Sequence, residues 1–293
     1  MTDAKQITLN LRGAWHSRYG VAPCPICQPE GRQTQNALTL ADSPDGRLLL
    51  NCKKSGCSFT DILTAAGIRA GDYTPPDPAV IARREALAKA QAERKERQAL
   101  SLWNEAQPIK GTIAETYLRG RGITCALADT LRFHPQAWHL TAQRFPAMLA
   151  RVDGAERFAV HRTYLRHDGN GKADIEPDKA MLGATAGGAV RLSEGQDALA
   201  VGEGIETTLS LLCGLLRGPV TAWAALSTSG MSGLRLPDRP GKLIIATDGE
   251  DAGRAAGTAL ATRAAALGWT VSTLPAPDKR DWNDILMMKG ATT

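Results

Sequence analysis

The chain has 293 residues, enough for about two domains, with 43% hydrophobic residues, 22% charged residues and a formal net charge of +5. That excess is too mild to demand nucleic acid as a partner, and 5% aromatic residues argue against a binding mode built on many stacked bases. No run nears the roughly 18–20 apolar residues of a membrane span, and the opening MTDAKQITLNLRG lacks a signal-peptide pattern, so a cytoplasmic, reducing setting with no membrane partner is expected.

Residues 1–72 are turn-rich and hold four of the six cysteines, as CPIC (Cys24, Cys27) and CKKSGC (Cys52, Cys57). Two close pairs about two dozen residues apart match the spacing of a ribbon-type Zn²⁺ site, each pair giving one side of a tetrahedron. The intervening NALTLADSPDGRLLLNC alternates like a hairpin with SPDG as its turn, which would return Cys52 beside Cys24. Free buried thiols or a disulfide are the alternatives, and a reducing compartment disfavours the latter. Lys53, Lys54, Arg18, Arg32 and Arg47 offer phosphate contacts or equally a solvated surface. Cys125 and Cys213 sit in apolar helical contexts and are expected in the core.

Three prolines in GDYTPPDPAV break the chain. From Ala79 to about Ala106 no Gly or Pro occurs and strong helix formers dominate, but apolar positions are sparse before Ala99. This predicts a solvated connecting helix that docks only at its C-terminal end. GTIAETYLRGRGI is a second helix, with Arg119 or Arg121 capping it or facing phosphate. RFAVHRTYL is a strand.

After residue 197 the chain alternates: ALAVGEG strand, ETTLSLLCGLL helix, VTAWAAL strand, KLIIATD strand, AGRAAGTALATRAAALG helix, TVSTLPAP strand. Short apolar runs alternating with helices predict a mainly parallel sheet covered by helices, hence an α/β (mixed α+β) chain whose ligand lies beyond the carboxyl ends of the strands. The Ser/Gly-rich STSGMSGLRLP after a strand is either a phosphate-contacting or a plain loop.

The acids concentrate where those strands end. Glu203 follows one strand and Asp248 another, with Glu250 two positions on; Asp281 and Asp284 follow a third in DKRDWNDIL. Convergent carboxylates need cations, and hard oxygen ligands suit Mg²⁺ or Mn²⁺. Asp251 reads instead as the N-cap of the following helix.

VGEGIETTLS followed by IIATDGEDAGRAA resembles the two halves of a Toprim domain. With four cysteines in front and DWNDIL behind, the order of motifs over residues 20–287 resembles the bacterial-type DNA primases of phages and mobile elements. The resemblance implies a zinc-ribbon DNA-binding domain (1–72), a helical linker (73–106), an N-terminal subdomain of a primase core (107–196) and a Toprim catalytic domain (197–293). It gives Glu203 the place of the general base or metal ligand, Asp248 and Glu250 the D-x-D places, and Gly253 the small residue that follows. Asp281 would be a further Mg²⁺ or Mn²⁺ ligand. PDKAMLG resembles the stretch where a lysine meets nucleotide phosphates, making Lys179 the first substrate-binding candidate, before Arg162, Lys172 and His161. Two departures stand out: the second D-x-D acid is Glu, and Thr207 stands where such primases often carry Asp, with Glu206 beside it.

The implied activity is synthesis of short RNA primers on single-stranded DNA from ribonucleoside triphosphates, with structural Zn²⁺ and catalytic Mg²⁺ or Mn²⁺. The alternatives are a Toprim metal-dependent nuclease and a non-catalytic zinc-ribbon nucleic-acid binder. No G-x-x-x-x-G-K-[ST] loop occurs, so any unwinding would come from a separate helicase or initiator.

Overall fold

The computed structural model describes residues 2–31, 35–43, 45–69, 71–196 and 198–290. Arg32, Pro44 of the expected SPDG turn and Asp197 at the expected domain start lie outside the described residues. The chain divides into two compact units, Met1–Glu93 and Arg94–Thr293.

The first unit opens with helix α1 (Ala4–Asn10), whose N-cap Asp3 accepts a hydrogen bond from Gln6 N. A four-stranded antiparallel sheet follows in the order β1 (Ala14–His16), β2 (Tyr19–Ala22), β3 (Leu38–Asp42), β4 (Leu48–Cys52). The hairpin β3–β4 pairs Leu38 with Cys52. Helix α2 (Phe59–Ala65) covers part of a small core that includes Ile7, Leu38, Leu40 and Ile62. Such side chains contribute about 1.5–3 kcal/mol each when buried, so few of them leave a unit of this size marginal.

Helix α3 (Pro78–Glu105) has 28 residues and crosses the division between the units. Its buried residues are Ala99 and Trp103, near the C-terminal end as expected. The expectation that the N-terminal half is merely solvated needs correcting. Arg84 pairs with Asp3 at 2.8 Å and Asp42 at 2.9 Å and stacks on Trp15, because its long side chain reaches polar groups that a hydrophobic pattern does not register.

The second unit is built on two five-stranded sheets. The first is antiparallel, in the order β5 (Gln107–Pro108), β6 (Leu131–Trp138), β7 (Arg144–Val152), β8 (Ala159–Tyr164), β9 (Lys179–Leu182), with α4 (Ile113–Gly120) between β5 and β6. Its pleat serves two cores. Val160 and Tyr164 face Ala99 and Trp103 of α3, whereas Ala159 belongs to the core that holds Tyr117 and Leu118 of α4.

The second sheet has the order β10-β12-β11-β13-β14 and spans β10 (Val190–Ser193), β11 (Leu199–Gly202), β12 (Thr221–Ala224), β13 (Lys242–Thr247) and β14 (Thr270–Pro275). Strands β12, β11, β13 and β14 are parallel, and β10 is an antiparallel edge strand. The covering helices are α5 (Ile205–Ser210), α6 (Thr228–Ser232), α7 (Asp251–Ala266) and α8 (Trp282–Gly290). STSGMSGLRLP is therefore partly helical, as α6, with Ser227 accepting from Gly230 N. On α7 the buried residues Gly253, Ala256, Gly257, Leu260 and Ala264 form one face, and small side chains let the helix lie close on β13.

Cys125 is not helical. It lies in the loop after α4, while Cys213 lies where the helix after α5 breaks, at φ −91° and ψ 42° beside Gly214 at φ 91°. Both are only partly buried, and the Thr124 and Cys125 N–H groups donate to Cys213 Sγ at 3.3 and 3.5 Å. The adjacent Gly214 supplies the left-handed conformation that ends the helix.

Candidate active site

In the first unit the four thiols of Cys24, Cys27, Cys52 and Cys57 lie within 4.8 Å of one another. Cys27 and Cys52 Sγ are 3.6 Å apart; a tetrahedron of Zn–S bonds of about 2.3 Å places sulfurs roughly 3.8 Å apart. The donor set and spacing therefore fit zinc. Burial pushes the Cys52 thiol up, but backbone N–H groups of Ser55, Cys57 and Lys54 outweigh it and bring it down to about 6. Cys57 is pushed up to about 12, first by desolvation and then by the neighbouring sulfurs. A bound cation would remove that conflict, since thiolates are what bind it.

In the second unit β11 ends at Gly202 and delivers Glu203, with Gly204 at the N-cap of α5. β13, its parallel neighbour, ends at Thr247 and delivers Asp248, Gly249 and Glu250 before α7 begins. Glu250, not Asp251, holds the N-cap position of α7, and its side chain makes no cap hydrogen bond. Asp251 lies inside the first turn instead. The loop after β14 completes the crevice, which Glu203, Asp248, Glu250, Lys279, Asp281 and Asp284 line. Gly249 N donates to Arg280 O at 2.8 Å, and Lys279 N donates to Gly249 O at 2.9 Å, which ties that loop to the D-x-E turn. A side chain at 249 would run into the Pro277 carbonyl, so the turn requires glycine.

The acids strain against one another. Burial, then the charges of Asp248 and Glu250, push the Glu203 carboxyl up to about 7, with Lys179 opposing. Asp248 is pushed up to about 6, first by burial and then by Asp281, although a hydrogen bond from Thr207 and the charge of Lys179 oppose this. No ion pair reaches Glu203, Asp248, Glu250 or Asp281 among the described residues. Their ligand atoms do not close into a cluster like that of the thiols; only the thiols form such a group of three or more among the described residues. A cation that keeps most of its water and takes one or two carboxylates plus substrate phosphate, as Mg²⁺ does, suits this open arrangement.

Asp281 and Asp284 also have a local task. Asp284 N donates to Asp281 Oδ1 at 2.8 Å and Asp281 N to Asp284 Oδ2 at 3.1 Å, a reciprocal cap on α8.

Glu206 and Thr207 part company. Consecutive helical residues lie about 100° apart around the axis, so only one faces the crevice. Thr207 does, donating to Asp248 Oδ1 at 3.3 Å. Glu206 is buried and accepts from Tyr117 Oη at 2.8 Å, with Lys179 Nζ 3.9 Å from its other oxygen. Sequence reasoning assigned neither Tyr117 nor the destination of Glu206. A lone acid in the apolar run after Glu203 was the available signal, since burial of a carboxylate demands a partner.

The candidate substrate residues divide. Lys179 is the one among them whose charge acts on both Glu203 and Asp248, and it is held cationic mainly by the charge of Glu206. Lys172 pairs with Asp178 at 2.9 Å. His161 is buried and neutral, its pKa lowered to about 4 by burial against the pull of Glu206. Arg162 projects to the opposite face of β8, where it donates to Trp138 O at 2.9 Å and lies over the Tyr164 ring. The alternation of a strand separates it from its neighbour His161. Arg119 pairs with Glu115 at 2.9 Å and donates to the carbonyls of Ile123 and Cys125, so it ties down the loop after α4 rather than capping the helix.

A family profile described as "Domain of unknown function (DUF7146)" matches residues 93–192, and one described as "Toprim domain" matches residues 198–292. No curated protein matches the chain. Among solved structures, the chain is similar to a DNA primase domain from Pseudomonas aeruginosa, at 20% identity over 70% of this chain and 74% of that one, TM-score 0.37. It is also similar to the Aquifex aeolicus primase (zinc binding and RNA polymerase domains), at 14% identity over 100% and 84%, TM-score 0.44. The RNA polymerase domain of Mycobacterium tuberculosis primase DnaG matches at 17% identity over 69% and 81%, TM-score 0.38. The parallel sheet and the acids at its strand ends thus fall within residues 198–292, which form a Toprim domain.

Proposed function

We propose that the chain is a DNA primase, which joins ribonucleoside triphosphates into short RNA primers on single-stranded DNA. The observation that carries this reading is the pair Glu203 and Asp248: two carboxylates from adjacent parallel strands, pushed up to about 7 and about 6 with no ion-pair partner among the described residues. Asp248, Glu250 and Asp281 would hold Mg²⁺ or Mn²⁺, which when bound offsets charge on the reacting phosphates. Glu203 Oε accepts the proton of an attacking 3′-hydroxyl as its oxygen bonds to the α-phosphate and pyrophosphate leaves; a base tuned near neutral pH suits that transfer. Lys179, then Lys172, meet the nucleotide phosphates. Arg162, turned to the far face of β8, and His161, buried and neutral, take no part in holding the phosphates.

In the same reading the thiol cluster holds structural zinc in a DNA-binding module over 1–72, a helical linker covers 73–106, the N-terminal core subdomain 107–196 and the catalytic domain 197–293. A separate helicase or initiator would open duplex DNA. The test is primer synthesis on single-stranded DNA with labelled nucleotides and Mg²⁺ or Mn²⁺. Short metal-dependent products are expected. Metal-dependent loss of the template without products would assign the site to a nuclease.

A further inference from the structure

Glu206 is 6% exposed, and a buried carboxylate persists only when paired and hydrogen-bonded. Burial works to raise its pKa, yet Lys179 and Lys172, with the Tyr117 hydroxyl, hold it down at about 2. Lys172 is already paired with Asp178 at 2.9 Å. His161 on the same side is neutral and leaves Nδ1 without a hydrogen bond among the described residues. Lys179 is therefore the cation that answers Glu206. Its Nζ lies 3.9 Å from Oε2, longer than the roughly 2.7–2.9 Å of a closed charge-assisted bond. The ammonium is thus held near Glu206 without being consumed by it. It also acts on Glu203 and Asp248, lowering both, yet it forms no ion pair with either among the described residues.

We infer that Glu206 is a positioning residue: fixed by Tyr117, its buried carboxylate tethers the Lys179 ammonium beside the crevice, keeps it from closing onto Glu203 and Asp248, and leaves it free for a nucleoside triphosphate. The inference rests on the polymerase reading above. Glu206 is the strongest negative charge acting on the ammonium and outweighs the pull of Asp248. Without it the anions left to act on Lys179 are Asp178, already paired with Lys172 at 2.9 Å, and the crevice acids, so that the ammonium is drawn towards the groups that a metal ion needs.

The test uses the full chain and two direct binding measurements. Affinity for a fluorescent adenosine triphosphate is read by anisotropy with Mn²⁺ present, and free Mn²⁺ is read by electron paramagnetic resonance without nucleotide. Glu206→Gln, which keeps the shape and the acceptor for Tyr117, is expected to weaken nucleotide binding about tenfold, as is Lys179→Met. The double variant should be no weaker than the worse single, since coupled residues fail to add. Glu206→Gln should also weaken Mn²⁺ binding severalfold, and adding Lys179→Met should restore it, which a merely structural role would not do. Should Glu206→Gln not fold by circular dichroism, Tyr117→Phe carries the test, with about a threefold loss of nucleotide affinity in the same direction. Glu206→Gln or Tyr117→Phe binding both probes within about twofold of wild type, while Lys179→Met is impaired, overturns the inference alone. Wild-type protein that binds no nucleotide at all overturns the polymerase reading and this inference together.

Discussion

Nothing but a hydrogen separates Gly253 on α7 from the Glu203 carboxylate: a Cβ at 253 would stand 3.2 Å from Glu203 Oε2 and 3.2 Å from the Asp248 carbonyl. Helix α7 can approach the strand ends this closely only because its first turn carries no side chain there. Gly253→Ala should gain up to about 1 kcal/mol of helix propensity while displacing the carboxylate. The expected outcome is a melting temperature within a few degrees of wild type and primer synthesis reduced about tenfold or more, since small misplacements at a reacting centre are costly.

Asp248→Ala removes the acid that both Thr207 and the β13 turn position. Several kcal/mol of charge stabilisation depend on such a site, so the rate should fall about 10²–10³-fold at saturating nucleotide. Thr207→Val should cost far less. Rates of primer synthesis that leave Asp248→Ala within about threefold of wild type would remove the acids from the reaction.

Without metal, the Glu203 and Asp248 carboxyls are both raised above their ordinary values of 4.5 and 3.8. The folded state therefore holds their protons longer than the unfolded chain does. Their contribution to stability is full below those ordinary values and is lost as pH rises through about 6 and about 7. Both groups are partly open to solvent, so the loss is on the order of 1–2 kcal/mol. In metal-free protein Glu203→Gln should match wild type near pH 4.5 and become the more stable form by pH 8, read by thermal melts. Added Mg²⁺ or Mn²⁺ should narrow the gap. A pH-independent difference would show that these charges do not oppose each other.

Zinc should be found at one ion per chain by metal analysis, given one cluster of four thiols among the described residues. Cys52→Ser should abolish it. With so few large buried side chains beside that cluster, the first unit should then lose its protease resistance, because binding energy at a structural zinc is folding energy. Full zinc retention in Cys52→Ser would mean the thiols are not its ligands.

The parts of this protein that repeat on a local period could be read from sequence alone. KLIIATD and AGRAAGTALATRAAALG became β13 and α7 because a short continuous apolar run and a period-3.6 face of small and apolar residues are written in neighbouring positions. The thiol cluster was equally readable, since a hairpin brings Cys52 back towards Cys24 across a short antiparallel register. That Glu203 and Asp248 meet followed from the rule that parallel strands point their carboxyl ends into one crevice. Only the tertiary structure decided where Glu206 turns, that Tyr117 reaches it from 89 residues away, that Arg162 leaves the site by one step of the pleat, and that Arg84 anchors an otherwise solvated stretch of α3. Each of these depends on a partner distant in the chain, and a buried charge takes its direction from that partner rather than from its neighbours.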